Sequence, residues 1–113
     1  MKILLYSKSN FIKDELKKEN SFFKELTVIK SLENIKKDIE SNSSLVVLHH
    51  LNDFENDIDL FSNLLKEYKN IYLIALSNTP TNLEGCKLLR TGYKSYLHSL
   101  SNYQILNLIL HKI

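Results

Sequence analysis

The stretch SLVVLHHLND, Ser44 to Asp53, decides the fold. Its apolar part, Leu45 to Leu48, is an unbroken run of strand length, and such a run suits a strand covered on both faces rather than one. The expected strand is LVVLH, Leu45 to His49, and the pair His49 and His50 stands where it opens onto a polar loop. Successive residues of a strand point to opposite faces, so the pair is not placed to hold one ion between them.

Four more runs share the strand character: KILLY (Lys2 to Tyr6), LTVI (Leu26 to Ile29), IYLIAL (Ile71 to Leu76) and SYLH (Ser95 to His98). Between and after the strands the apolar residues return at helical spacing. The stripes are Phe11, Ile12, Leu16; Leu32, Ile35, Ile39; Ile58, Phe61, Leu64, Leu65, Tyr68; Leu83, Cys86, Leu89; and Ile105, Leu106, Ile109, Leu110. Ser31 before LENIKKDIE and Ser101 before NYQILNLIL are placed as N-caps, where a hydroxyl accepts from an amide of the first turn. The alternation makes five (βα) units. Parallel strands require crossovers, and right-handed crossovers put helices on both faces of one sheet. The expected architecture is a three-layer α/β/α sandwich with a five-stranded parallel sheet of order 2-1-3-4-5, a flavodoxin-like fold.

At 113 residues the chain is one domain's worth, expected to span 1–113 as a single unit that a longer protein could extend beyond Ile113. Charged residues make up 25% and the formal net charge is +2, so no strong overall field draws the chain onto nucleic acid. KDELKK and ENIKKDIE alternate in sign as solvated helix faces do. Cys86 is alone, which excludes an internal disulfide, agrees with a reducing cytosol and suggests core filler on a helix. The N-terminal apolar run is too short for a secretory signal and no segment approaches a membrane span, so the expected compartment is the cytoplasm.

In a sheet of this order, ligands bind beyond the carboxyl ends of the strands. That rim carries Ser7 and Lys8, His49 and His50, Ser77 and Asn78, and Ser99. Mg²⁺ wants oxygen ligands, chiefly carboxylates, and this set offers a lysine, imidazoles and hydroxyls. No metal and no cofactor is expected. Cys86, His98 and His111 have no ligand spacing, the SKSN loop has no glycine for close approach to a phosphate, and Ser77 has no legible Asp partner for a triad. An enzyme is the least supported class. A small anion or nucleotide bound by Lys8, His49, Ser77 and Ser99 is the alternative to an interaction module.

The chain resembles the receiver domains of two-component response regulators. IALSN followed by GYKSYLHSL is similar to the family's fourth strand ending in Thr or Ser and its GADDYLxKP segment, with Gly92 at 92 − 77 = 15 and Ser99 at 99 − 77 = 22 residues from Ser77. SSLVVLHHLND is similar to PDLVLLDIxMP. The resemblance places His49 at the phosphoacceptor Asp, Ser7 and Lys8 at the acidic pair, Ser99 at the Lys and Leu100 at the Pro, and retains only Ser77 and the aromatic Tyr96 in type. It thus implies a degenerate pseudo-receiver. It further implies that a protein partner or a second copy docks on the surface of the fourth helix, fifth strand and last helix, which includes Lys87, Arg90, Tyr96, Tyr103 and Leu108. Such domains often precede a DNA-binding output domain in a transcriptional regulator. The last helix, rich in Ile and Leu, is either a partner surface or a broad core stripe.

Overall fold

In the computed structural model, which describes residues 2–8, 10–19, 26–99 and 103–112, five strands form one sheet of order β2-β1-β3-β4-β5. The strands are β1 (Lys2–Tyr6), β2 (Thr27–Ile29), β3 (Leu45–His50), β4 (Ile71–Ser77) and β5 (Ser95–His98). The helices that follow them are α1 (Asn10–Glu19), α2 (Ile35–Ser41), α3 (Ile58–Glu67), α4 (Asn82–Thr91) and α5 (Tyr103–His111). A single helical turn, Leu51–Phe54, and a 3-10 turn, Glu55–Asp57, join β3 to α3. All pairings are parallel, as expected from strands separated by helices.

β3 lies at the centre, with Val47 opposite Leu4 on one side and Leu73 on the other. All six of its residues are buried. Alternate side chains feed two cores. Leu4, Tyr6, Leu45, Val47, Leu73 and Ala75 pack against Ile35 and Ile39 of α2, Phe61 and Leu64 of α3, and Leu88 of α4. On the other face Ile3, Leu5, Val46, Leu48, Ile74 and Leu76 meet Ile12 and Leu16 of α1 and Leu106 and Leu110 of α5. Each Leu or Val so covered contributes about 1.5–3 kcal/mol.

The structure departs from the sequence-based expectations at several points: β2 starts at Thr27, β4 runs on to Ser77, and Phe11 of the α1 stripe is 59% exposed. β3 runs one residue further, so that His50 pairs with Leu76 in the ladder. Ser31 does not cap α2. Its Oγ accepts from the Glu33 amide at 3.2 Å in a preceding turn, and α2 begins at Ile35 after Asn34. On α4 the buried residues are Gly85 and Leu88, whereas Leu83 is 70% and Leu89 53% exposed and Cys86 is exposed too. Gly85 explains the helix's orientation: a Cβ there would stand 3.0 Å from Cδ2 of Tyr96, so the bare face of the helix lies on the aromatic ring and turns Cys86 outward. The proposed cap at Ser101 lies outside the described residues, as do Leu100 and the side chain of Tyr103.

α4 ends in a paired C-cap. The Tyr93 amide donates to the Leu88 carbonyl at 3.1 Å and the Gly92 amide to the Leu89 carbonyl at 3.3 Å, with Gly92 at φ 113°. A Cβ at Gly92 would also meet Leu65 Cδ1 at 2.7 Å. Gly92→Ala is therefore expected to lower stability by about 1–3 kcal/mol, read from the midpoint of urea denaturation, because only glycine takes that backbone conformation without strain.

Candidate functional site

The carboxyl ends of β1, β3, β4 and β5 bring Ser7, His49, His50, Ser77 and Ser99 to one rim of the sheet, and all five are buried. Lys8 is exposed beside them. The pleat then divides the histidines.

His49 turns into the layer of α2, α3 and α4. Its Nδ1 lies 2.7 Å from the Tyr93 hydroxyl, and its ring is 5.6 Å from that of Tyr6, 5.0 Å from Phe61 and 5.9 Å from Tyr93. The Tyr6 hydroxyl in turn donates to Asp57 Oδ2 at 2.6 Å. Burial, then the bond to Asp57, raises the Tyr6 phenol well above its ordinary range, and burial raises Tyr93 likewise. Both phenols stay protonated, and that of Tyr6 donates to Asp57. The imidazole thus occupies an aromatic compartment with no exposure to solvent.

His50 projects to the opposite face and is the imidazole that joins the polar cluster. Its Nδ1 is 3.1 Å from Ser7 Oγ and its Nε2 is 3.2 Å from Asn78 Oδ1. Asn78 Oδ1 is an acceptor, so Nε2 carries the proton, and in the neutral ring Nδ1 accepts from the Ser7 hydroxyl. Ser99 Oγ donates to the same Asn78 oxygen. The Asn78 amide donates to Asn52 Oδ1 at 2.8 Å, tying the end of β4 to the turn after β3. Ser77 Oγ accepts from the Thr79 amide at 3.1 Å, and the Ser77 carbonyl accepts from the Ser99 amide at 2.9 Å.

The expected grouping of Ser7, Lys8, His49, Ser77 and Ser99 is therefore split. Ser7 and Ser99 are linked through His50 and Asn78, while His49 belongs to Tyr93. Asn52, Asp57 and Tyr93 were not expected from sequence, since nothing in their local pattern marks the fold that carries them to the rim. The Asn78 and His50 positions were visible at strand ends, but their bond depends on which way each side chain points.

Among the described residues no group of three or more His, Cys, Asp or Glu side chains could hold a metal ion. The rim set itself supplies hydroxyls, amides, imidazoles and one ammonium. Mg²⁺ needs a near-octahedral oxygen shell built around carboxylates, and phosphoryl transfer needs a metal or cation to stabilise the moving oxygens. The arrangement suits a hydrogen-bonded closure of the strand ends better than that chemistry.

Tyr96 is anchored at the start of α4. Its hydroxyl accepts from the Thr81 amide at 2.9 Å and donates to Glu84 Oε1 at 2.6 Å, while its ring lies on Gly85. Burial and the Glu84 bond push its phenol pKa up, against the Thr81 amide and the Ser77 hydroxyl. The retained serine and aromatic are thus neighbours. Beside them, α4, β5 and α5 enclose a groove of about 660 Å³ with Cys86, Leu89, Leu97, Ile105 and Ile109 on its walls. Lys87 and Arg90 are exposed on α4, and Leu108 is 61% exposed on α5; none of the three lines the groove itself.

No family model and no curated protein matches the chain. Solved structures do. The chain is similar to HP1043, an orphan response regulator of H. pylori, with a TM-score of 0.74 and 19% identity over 97% of this chain and 96% of that one. It is also similar to an atypical orphan response regulator described as revealing a phosphorylation-independent regulatory mechanism, with a TM-score of 0.67 and 20% identity over 94% of this chain and 88% of that one. The fold is that of response-regulator receiver domains, the flavodoxin-like α/β sandwich of order 2-1-3-4-5.

The aromatic enclosure of position 49 has a direct consequence. His49→Asp places a carboxylate among Tyr6, Phe61 and Tyr93, and is expected to cost about 2–5 kcal/mol of stability, measured by urea denaturation. A variant as stable as the parent would mean that position 49 opens to water.

Proposed function

We propose that the chain is an atypical receiver domain, a signalling and protein-interaction module that works without phosphorylation. The observation that carries this reading is position 49. An imidazole fills the place where the resemblance puts the phosphoacceptor, and it is committed to Tyr93 inside an aromatic compartment. The acidic pair is replaced by a buried serine and an exposed lysine. The similarity to an orphan regulator described as phosphorylation-independent agrees with this reading.

With no acceptor chemistry at the rim, the work passes to surfaces. The groove of α4, β5 and α5, flanked by Lys87, Arg90 and Leu108, is the face on which a partner or a second copy docks. Tyr96, held between Thr81, Glu84 and Gly85, links that face to Ser77 at the rim. In a longer protein the module would regulate a DNA-binding output domain from the cytoplasm. No described helix is long and apolar enough to cross a membrane. The rival reading, an anion or nucleotide bound at the rim, is less favoured because Ser7, Ser77 and Ser99 spend their hydroxyls on His50, Thr79 and Asn78.

The test is an NMR titration of the amides near Ser7, His50 and Ser77, first with Mg²⁺ and then with beryllofluoride. The expected result is no localised change. Saturable shifts at millimolar or lower concentration would establish a working acceptor pocket and end the phosphorylation-independent reading. Inorganic phosphate, added separately, is expected to be silent as well, and saturable shifts lost in Lys8→Ala would support the anion-binding alternative instead.

A further inference from the structure

Helices hold to a sheet mainly through a buried apolar stripe, and α4 has little of one. Ile12 and Leu16 seat α1, Ile35 and Ile39 seat α2, Phe61 and Leu64 seat α3, and Leu106 and Leu110 seat α5, all of them buried. On α4 the buried residues are Gly85 and Leu88, and Gly85 brings no side chain. The other residues of α4, from Asn82 to Thr91, are exposed. One buried leucine stabilises less than the pairs beneath the other helices, because the gain follows the apolar area removed from water. Contacts at the two ends of α4 therefore carry a larger share of its attachment.

A tyrosine stands at each end. Tyr96 secures the first turn, since its hydroxyl accepts from the Thr81 amide and donates to Glu84, and its ring lies on Gly85. Tyr93, 2% exposed, secures the last turn in a different way. Its amide donates to the Leu88 carbonyl at 3.1 Å as part of the C-cap, and its hydroxyl lies 2.7 Å from His49 Nδ1. The residue after it is fixed as well, because the Lys94 amide donates to the Leu73 carbonyl of β4 at 2.8 Å. One side chain thus joins the end of the helix to the end of the central strand. A buried hydroxyl separated from its partner is left with an unmet hydrogen bond, so the backbone of the last turn and the phenol resist displacement together.

We infer that the hydrogen bond between Tyr93 and His49 is a built-in latch, which holds the C-terminal half of α4 on the sheet where apolar burial is too small to do so. The latch is a positioning contact and goes beyond the docking reading, since it is made inside the domain and needs no partner. Tyr96 does not replace it, because its bonds reach only Thr81 and Glu84 at the other end of the helix. Position 49 accordingly sets where the last turn of α4 lies.

The experiment measures amide hydrogen exchange of the whole chain by NMR. Tyr93→Phe keeps the ring and removes the hydroxyl. It is expected to speed exchange at Leu88, Leu89 and Arg90 about tenfold, the loss of one buried hydrogen bond. His49→Phe keeps an aromatic ring in the compartment and removes the acceptor, and is expected to give the same acceleration at the same amides. The control is Ile12→Val, which weakens the core on the opposite face of the sheet and lowers the urea midpoint. With it, Leu88, Leu89 and Arg90 are expected to stay within about twofold of the parent, because a helix end that opens by itself does not sense that core. Acceleration of these amides by Ile12→Val to the same degree would mean that α4 opens only when the whole domain unfolds, and overturns the inference. Unchanged exchange in Tyr93→Phe, or acceleration in one latch variant without the other, overturns it as well. Mg²⁺ or beryllofluoride shifts at the rim bear on the phosphorylation-independent reading and leave this comparison as it stands.

Discussion

The central constraint is the burial of β3 on both faces. Placed between β1 and β4, with Val47 paired to Leu4 and Leu73, it supplies side chains to two cores at once. A polar residue at its end cannot remain neutral to that arrangement. The pleat sends His49 into one layer and His50 into the other, and each must find hydrogen-bond partners where it lands, because a buried polar group without one costs about 1–3 kcal/mol. His49 meets Tyr93, and His50 meets Ser7 and Asn78. The identities of the residues around the rim follow from that division.

What results is a rim organised for closure. Ser7, His50, Asn78 and Ser99 form a chain of hydrogen bonds across β1, β3, β4 and the end of β5, and Asn52 fastens the turn after β3 to Asn78. In a low-dielectric setting such a network is stabilising when its members are satisfied by one another. The same rim in a receiver with carboxylates would attract a divalent cation. Here the rim is made of hydroxyls, amides and imidazoles that hydrogen-bond to one another.

The opposite tendency governs α4, β5 and α5. Gly85 lets α4 lie on the Tyr96 ring, and the consequence is that Leu83 and Leu89 are exposed while the groove beside them stays apolar. Such apolar surface is larger than most monomer surfaces keep. The hydroxyl of Tyr96, shared between Thr81 and Glu84, ties the ring to the first turn of α4.

The order of elements, the parallel sheet and most of the buried residues of strands and helices were legible in the sequence, because hydrophobic periodicity reports on which face of a strand or helix is covered. The strand runs at Lys2, Leu45 and Ile71 and the buried pairs Ile12 and Leu16, Ile35 and Ile39, and Phe61 and Leu64 needed nothing else. That Ser7, His49, His50, Ser77 and Ser99 lie together at the strand ends was legible too, through the order of the strands. Three features were decided only by the tertiary structure. The extension of β3 by one residue, through pairing with Leu76, set the facing of His50. The rotation of α4 about its axis came from the fit of Gly85 against a ring ten or more residues away and exposed Cys86. The enclosure of His49 needed Tyr6, Phe61 and Tyr93 from three distant parts of the chain. Periodicity assigns a residue to a face, but the partner it meets there depends on contacts between segments whose spacing along the chain carries no record of their distance in space.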